Sequence, residues 1–247
     1  MKDSSIYISD HLNQKTFTDL RKIIDLNFYQ EEKYYLSMSI EDYRNLMVKA
    51  QDSLNENNAA LMICKSIEHD IVNYLKTDKF LIQSNVYLRA SRPINNPSTE
   101  NIGWHRETFY GSNMEKSVNI WTPLRGLTLE NTLRYIPMSH LIKDEEIKVK
   151  KISSDITKRF SLGHKLGFQY APKKIIGGVK LNRSLPMMVD YGKSAIFSGN
   201  LIHGAAVNSA DSIRFSIDFR IIRKSDYSSK NKQHHFSSSK PYFIEYK

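Results

Sequence analysis

Residues 213–221 alternate without interruption between apolar and polar side chains, and no other pattern in the chain constrains the fold as strongly. The apolar positions are Ile213, Phe215, Ile217, Phe219 and Ile221, and the polar positions between them are Arg214, Ser216, Asp218 and Arg220. Because successive side chains of a strand point to opposite faces, this strand has one apolar face and one polar face. We expect the apolar face to pack against helices and the polar face either to line a cavity or to be solvated.

Hydrophobic periodicity divides the chain into a helical first part and a strand-rich remainder. Residues 16–76 show helical spacing, with a helix-start pair at Ser39 and Asp42 and a second apolar stripe that includes Cys64. From Phe80 onwards, short segments rich in β-branched and aromatic residues predict strands at 80–93, 117–124, 194–198 and 213–221. Helices followed by strands indicate an α+β, mainly β fold, a β-sandwich or jelly roll with supporting N-terminal helices.

The length and composition of the chain are typical of one large globular domain. Its 247 residues are 40% hydrophobic and 25% charged, so we expect a sizeable core. We predict a single domain over 1–247, with helical support at 1–79, a jelly-roll core at 80–223 and a polar tail at 224–247. One cysteine cannot form an internal disulfide, and no apolar run approaches the roughly 18 residues of a membrane span, which favours a soluble cytoplasmic protein. Nothing in the sequence indicates an oligomeric state.

Residues 143–183 form a basic segment between two predicted core strands. They contain eleven Lys and Arg residues against four Asp and Glu, a net charge of +7, together with four glycines. We interpret the segment as an insertion that forms either a lid or a solvated surface excursion. The whole chain carries a formal charge of +10, which favours anionic partners: nucleic acid, an acidic membrane surface or an anionic small molecule.

The sequence WHRE at 104–107 places an imidazole and a carboxylate two residues apart. In a strand, His105 and Glu107 would point to the same side, so the pair could hold one side of a metal ion. His203, in an otherwise apolar run, offers a third ligand, although a single histidine on an apolar strand is more often a satisfied core residue than a metal ligand. Two histidines and a carboxylate form the facial triad of non-haem Fe(II) oxygenases, which leaves three adjacent positions for a chelating 2-oxo acid and O2.

Arg214, eleven residues after His203, belongs to the polar face of the alternating segment. That spacing fits one strand, a turn and half of the next strand, so we expect the segment to run antiparallel beside the strand of His203. Because a guanidinium binds a carboxylate through two parallel hydrogen bonds, Arg214 can hold the far carboxylate of 2-oxoglutarate. Ser216, on the same face, can add a further hydrogen bond.

Three stretches, in this order, resemble the phytanoyl-CoA dioxygenase family. They are WHRE at 104–107, VNIWTPLRGLTLENTLRYIPMSH at 118–140 and VDYGKSAIFSGNLIHGAAVNSADSIRFSIDFR at 189–220. The family pattern is W-H-x-D, then a strand leading to N-G-x-L and I-P-G-S-H, then a G-D strand, H-G, N and R-x-S. The likeness covers residues 80–223, and its motifs are specific as a set although each is weak alone.

The resemblance implies a double-stranded β-helix, which is a jelly-roll, cupin-like fold. It also implies Fe(II) bound by His105, Glu107 and His203, with 2-oxoglutarate held by Arg214. An enzyme of this kind uses O2 as its second cosubstrate.

Further positions follow from the same resemblance. Trp121 matches a residue that lines the cosubstrate site, and Arg89 and Arg92 fall where the family often has cosubstrate or substrate contacts. Two departures stand out: Glu107 replaces the usual Asp, and Met138 replaces the Gly of I-P-G-S-H. They suggest a divergent branch with a substrate of its own.

Taken together, these features predict an Fe(II)/2-oxoglutarate-dependent dioxygenase that hydroxylates a small metabolite in a biosynthetic tailoring step. The basic insertion, together with Arg89 and Arg92, favours an anionic substrate, such as a carboxylate, phosphate, nucleotide sugar or carrier-tethered acid. An AlkB-type nucleic-acid dealkylase is an alternative, because Arg214 and Arg220 stand six residues apart, but no aromatic-basic stretch favours base stacking. A non-catalytic metal- or ligand-binding module on the same fold is the third hypothesis.

Overall fold

Five helices occupy the region that shows helical spacing. The computed structural model describes residues 5–93, 103–151, 165–166, 173–205, 207–230 and 241–247. The helices are α1 (Gln14–Asn27), α2 (Glu32–Ser37), α3 (Ile40–Glu56), α4 (Ala59–Ser66) and α5 (Glu68–Leu75), and a short sixth helix, α6 (Ser112–Glu115), lies further along the chain. Ser39 caps α3, since its Oγ accepts a hydrogen bond of 3.1 Å from the Asp42 amide, which confirms the predicted helix start.

The strands of the described residues pair antiparallel throughout. They are β1 (Ile6–Ile8), β2 (Phe80–Gln83), β3 (Tyr87–Ser91), β4 (Val118–Arg125), β5 (Leu133–Tyr135), β6 (Lys148–Lys151), β7 (Lys173–Gly177), β8 (Leu185–Pro186), β9 (Ala195–Ser198), β10 (His203–Ala205), β11 (Arg214–Arg223) and β12 (Phe243–Glu245). The large sheet has the order β1-β9-β4-β11-β2-β12, with β3 also paired to β11. The small sheet has the order β10-β5-β8, and β6 pairs with β7.

Strand β11 lies at the centre of the large sheet and has the two faces that its alternation predicts. Its apolar residues are fully buried in one cluster with residues of the helices, including Tyr43, Met47 and the thiol-bearing Cys64. On the opposite face Arg214, Ser216 and Arg220 are buried as well. The polar face therefore lines the interior rather than facing solvent.

The two sheets face each other and enclose a second apolar cluster. Trp121 and Phe197 of the large sheet pack there with Tyr135 of the small sheet and with Met187 and Leu201 beside it. Two antiparallel sheets closed over a shared interior form a jelly roll, which is the double-stranded β-helix expected from the sequence.

The expected pairing of the Arg214 strand with the His203 strand was wrong. Strand β10 pairs with β5 in the small sheet, whereas β11 pairs with β2, β3 and β4 in the large one. Arg214 and His203 therefore project into the interior from opposite sheets. Sequence spacing limits how far apart two strands can lie, but it does not choose between a neighbour in one sheet and a partner across the barrel.

The ends of the core differ from the expected layout. The predicted polar tail includes β12, which pairs with β2 and completes one edge of the large sheet. Within the basic insertion, β6 and β7 form a ribbon, and Gln51 donates a hydrogen bond of 2.9 Å to the Lys165 carbonyl. Residues 152–164 and 167–172 of the predicted lid lie outside the described residues, so the lid stays a prediction. No helix in the described part of the chain is long and apolar enough to cross a membrane.

Met138, which replaces the glycine of the family motif, has a left-handed backbone with φ 59°. A side chain is strained by about 1–2 kcal/mol in this conformation, whereas glycine is not. Because glycine also loses more chain entropy on folding, we expect Met138→Gly to raise the free energy of unfolding by about 0.5–1 kcal/mol. Urea denaturation measures the change. The control is Leu141→Gly, at an exposed position of the next turn, which should destabilise the protein; a destabilised Met138→Gly would show that the position is not strained.

Candidate metal and cosubstrate site

His105 and His203 are brought together by a two-residue bridge between separate segments. The amide of each histidine donates a hydrogen bond of 3.0 Å to the carbonyl of the other, and their ring centroids lie 4.3 Å apart. The two segments lie close together at Gly204, where an added Cβ would be only 3.3 Å from the Trp104 backbone. The bridge places both imidazoles on the inner side of the jelly roll.

Glu107 follows in a 3-10 turn, Glu107–Tyr110, rather than in the extended strand that its spacing from His105 predicts. Its amide donates a hydrogen bond of 2.8 Å to the Gly199 carbonyl, which fixes the start of the turn. A Cβ at Gly199 would lie 2.6 Å from the Met114 carbonyl oxygen, so only glycine fits this position. The carboxylate nevertheless points to the same side as the His105 ring.

The three side chains converge on one point in the interior. Glu107 Oε1 lies 3.7 Å from His203 Nε2 and 4.0 Å from His105 Nε2, and all three residues are buried. Their candidate ligand atoms lie within 4.8 Å of one another, and no other such group occurs among the described residues. Two imidazoles and a carboxylate at this separation match the donor set of a non-haem Fe(II) centre.

Each imidazole is oriented by a hydrogen bond to a carbonyl. His105 Nδ1 donates to the Gly103 oxygen at 2.8 Å, and His203 Nδ1 donates to the Leu201 oxygen at 2.9 Å. Since a carbonyl only accepts, Nδ1 carries the proton and Nε2 presents its lone pair to the shared point. Burial lowers the pKa of both rings, that of His105 to about 3 with the help of His203. Both rings are therefore neutral at neutral pH, as metal ligation requires.

A ladder of buried charges supports Glu107 from behind. Arg220 Nε donates to Glu107 Oε2 at 3.1 Å, and Arg220 Nη2 donates to Oε1 at 2.9 Å. Arg220 Nη1 also donates to Asp218 Oδ2 at 2.8 Å, and Asp218 in turn accepts from Arg89 Nε at 2.5 Å. Burial raises the pKa of each carboxyl, but the adjacent arginines outweigh this, so that the pKa values of Glu107 and Asp218 lie below their usual range.

The sequence patterns did not predict this ladder of Arg89, Asp218, Arg220 and Glu107. Arg220 appeared there only as one residue of a polar face and as half of a six-residue spacing. The signal that could have revealed it is the Asp218 and Arg220 pair, two residues apart on a face that is buried, where opposite charges must find partners.

Arg214 is a buried cation of a different kind. Its Nη1 donates to the Asn131 carbonyl, but no carboxylate among the described residues pairs with it. Its Nε is buried without a hydrogen-bond partner, and so is the Oγ of Ser216 on the same face. Burial and the nearby Arg89 lower the pKa of Arg214 to about 10, so it remains charged at neutral pH. A buried guanidinium that has no carboxylate partner among the described residues, on the same face as an unpartnered hydroxyl, fits an anionic ligand that carries a carboxylate.

Comparison with known proteins decides the family. Residues 31–216 of the 247 match the sequence profile of the phytanoyl-CoA dioxygenase (PhyH) family. The chain belongs to the phytanoyl-CoA dioxygenase family. The resemblance seen in the motifs is thereby confirmed, and with it a non-haem oxygenase that uses Fe(II), 2-oxoglutarate and O2. No curated protein sequence matches the chain significantly.

Solved structures support the fold. EvdO2 from Micromonospora carbonacea var. aurantiaca, crystallised with 2-oxoglutarate, aligns with a TM-score of 0.60 at 15% identity, covering 90% of this chain and 87% of that one. The non-haem monooxygenase ThoJ in its apo form aligns with a TM-score of 0.52 at 14% identity, covering 90% of this chain and 75% of that one. At such low identity these structures establish the jelly-roll architecture that this member of the phytanoyl-CoA dioxygenase family shares with them.

The remaining residues that the family pattern suggested occupy different places. Trp121 pairs with Asp218 across β4 and β11 and lies in the buried cluster between the sheets. Arg89 is held by the ladder, and its Nη1 donates to the Leu166 carbonyl at 2.7 Å. A role of Trp121 or Arg89 at the cosubstrate stays a prediction.

Arg92 lies away from the site. Its Nη1 donates to the carbonyls of Tyr35 and Met38 at 2.9 and 2.8 Å, and its guanidinium stands 4.6 Å from the centre of the Tyr43 ring. These contacts belong to the helices on the other side of the large sheet. We therefore drop Arg92 from the residues expected to contact a cosubstrate or substrate.

Arg106, between His105 and Glu107, connects their segment to residues 139–144 through hydrogen bonds. Its Nη2 donates to the Ser139 carbonyl at 2.6 Å, and its Nη1 donates to the Ile142 carbonyl at 2.9 Å and to Asp144 at 2.7 Å. The side chain thus fastens the turn of the IPMSH motif to the segment that carries His105 and Glu107. It points away from the metal candidates, as alternation along the WHRE segment predicts.

Proposed function

We propose that this protein holds Fe(II) through His105, Glu107 and His203, anchors 2-oxoglutarate through Arg214, and hydroxylates a small, anionic metabolite. The observation that carries the proposal is the convergence of three ligand atoms within 4.8 Å in a buried site. The neutral, oriented imidazoles and the ionised carboxylate are in the protonation states that Fe(II) requires.

The polar face of β11 also fits the cosubstrate. 2-Oxoglutarate carries two carboxylates, and the one remote from the metal needs a cation inside the jelly roll. Arg214 is a buried cation there without a carboxylate partner among the described residues, and the unpartnered Ser216 Oγ supplies a hydroxyl for the same anion. Arg89 and Arg220 already neutralise Asp218 and Glu107, so neither is equally suited to this role.

In this arrangement Fe(II) and 2-oxoglutarate supply the O2-dependent oxidising chemistry of the family. The protein holds the metal ligands in position and shields the site from water. The carbonyls of Gly103 and Leu201 keep both Nε2 atoms aimed at one point, and burial of all three ligand side chains excludes bulk water. Three ligands from one side leave the opposite side for cosubstrate and substrate.

An anionic substrate is favoured by the ribbon of β6 and β7. Its lysines are Lys148, Lys150, Lys151, Lys173 and Lys174, and no ion pair joins any of them to a described residue. Lys173 Nζ stands 5.5 Å from the centre of the Phe109 ring, and Phe109 belongs to the turn that begins with Glu107. The ribbon thus brings Lys173 next to the turn that begins with Glu107, where its charge can attract a carboxylate, a phosphate or a carrier-tethered acid.

Turnover tests the proposal against the non-catalytic alternative. We expect the Fe(II)-loaded protein to convert 2-oxoglutarate to succinate with O2, faster when an acceptable anionic metabolite is present. His203→Ala should abolish succinate release, because two ligands hold Fe(II) poorly. Iron bound at full stoichiometry without any consumption of 2-oxoglutarate would favour a binding module instead.

The role of Arg214 has a graded test. Arg214→Met should raise the KM for 2-oxoglutarate roughly 10- to 100-fold, which is the loss expected for hydrogen bonds to a charged group. Ser216→Ala should raise it by a smaller factor of roughly 5, because one neutral donor is lost. Metal content should stay unchanged in both. Arg92→Met, on the other side of the sheet, is the matched control, and an equal effect there would remove Arg214 from the cosubstrate site.

A further inference from the structure

The two oxygens of the Glu107 carboxylate have different surroundings. Oε1 faces the imidazoles, at 3.7 Å from His203 Nε2 and 4.0 Å from His105 Nε2. Oε2 accepts the Nε–H of Arg220 at 3.1 Å, while Nη2 of the same guanidinium reaches Oε1 at 2.9 Å. The planar guanidinium therefore sets the rotation of the carboxylate about its own axis.

The guanidinium is itself held in place. Asp218 Oδ2 accepts from Arg220 Nη1 at 2.8 Å, and the same carboxylate accepts from Arg89 Nε and Nη2 at 2.5 and 3.2 Å. The signs of charge alternate along Arg89, Asp218, Arg220 and Glu107, and the side chains are almost fully buried. Asp218 offsets part of the charge of Arg220, and the two parallel N–H donors of the guanidinium give its attraction for Glu107 a fixed direction.

We propose that Arg220 is a positioning residue for the metal ligand Glu107, and that Asp218 and Arg89 hold it in that role. By holding Oε2, Arg220 turns Oε1 alone toward the metal position, so that the carboxylate uses one coordination site. A carboxylate bound through both oxygens would use two sites and leave fewer for 2-oxoglutarate and O2. The inference rests on the proposed function, because it takes Glu107 to be a metal ligand.

An experiment distinguishes this positioning role from a competing one, in which Arg220 weakens metal binding. A guanidinium that only neutralised Glu107 in the absence of metal would compete with the metal, so that its removal would tighten metal binding. Orientation depends on two parallel N–H donors, whereas neutralisation depends on charge alone. Lysine keeps the charge and loses the planar pair of donors, so Arg220→Lys distinguishes the two.

The experiment is an anaerobic titration of the full-length apoprotein with Co(II), without 2-oxoglutarate, followed by its ligand-field absorption. We expect Arg220→Lys to bind Co(II) about 10- to 100-fold more weakly than the wild type, as is usual when a partner of a metal ligand is lost. We also expect the intensity and position of the absorption bands to change, because the carboxylate is free to bind through both oxygens. A purely structural role would alter stability and leave the spectrum of the bound metal unchanged.

Two further variants keep the test decisive. Asp218→Asn, which does not touch Glu107, should shift affinity and spectrum in the same direction by a smaller factor, and it stands in if Arg220→Lys fails to fold. Arg92→Lys changes an equally buried arginine on the other side of the sheet and should match the wild type in both readouts. Unchanged or tighter Co(II) binding with an unchanged spectrum in both ladder variants would overturn the proposal.

Failure of the inference differs from failure of the proposed function. A wild type that binds Co(II) and releases succinate, with ladder variants that bind Co(II) identically, overturns the positioning role alone. A wild type that binds no Co(II) overturns the metal site and the positioning role together. Ladder variants with weaker, altered Co(II) binding in a protein that never consumes 2-oxoglutarate would support the positioning role and overturn the oxygenase.

Discussion

Strand β11 buries a row of charged side chains on the face that points into the jelly roll, and the site is built on how these charges are neutralised. Removing one partner of a buried ion pair destabilises a protein by about 3–5 kcal/mol, because the other charge stays buried without a partner. Each charge on this face therefore needs a partner. Arg89, Asp218, Arg220 and Glu107 satisfy one another in a ladder. Arg214 is bound only to a carbonyl among the described residues, which leaves its charge for an anion. One strand thus supports a metal ligand and provides a cation for a cosubstrate.

The same strand connects the site to the core. Its apolar face lies in the cluster that joins the large sheet to the helices, whereas its polar face lies across the interior from β10. A shift of one residue in the pairing of β11 would exchange the two faces, burying the charges among the helices and the aromatic rings in the site. The register of this strand is therefore fixed by hydrophobic burial, and the positions of Arg214 and Arg220 follow from it.

Local pattern predicted much of this molecule. Alternation predicted the two faces of β11, helical spacing predicted the N-terminal helices, and residue types predicted that His105, Glu107 and His203 would converge. Contacts between distant segments were harder, because they depend on which strands pair. The expected neighbour of β10 was wrong, and β12 was missed in a segment whose composition is polar. Arg92 could have been assigned to the face opposite Arg89, since residues three apart in the strand predicted over 80–93 point to opposite sides.

The central claim is that one buried site binds Fe(II) and 2-oxoglutarate together. Its most direct test is anaerobic: the apoprotein is loaded with Fe(II), 2-oxoglutarate is added, and the visible spectrum is recorded after each step. We expect a weak charge-transfer band, typical of a 2-oxo acid chelated to Fe(II), that requires both components. Bound iron with no such band at saturating 2-oxoglutarate would contradict the claim, because the metal and the cation at Arg214 would then not share a ligand.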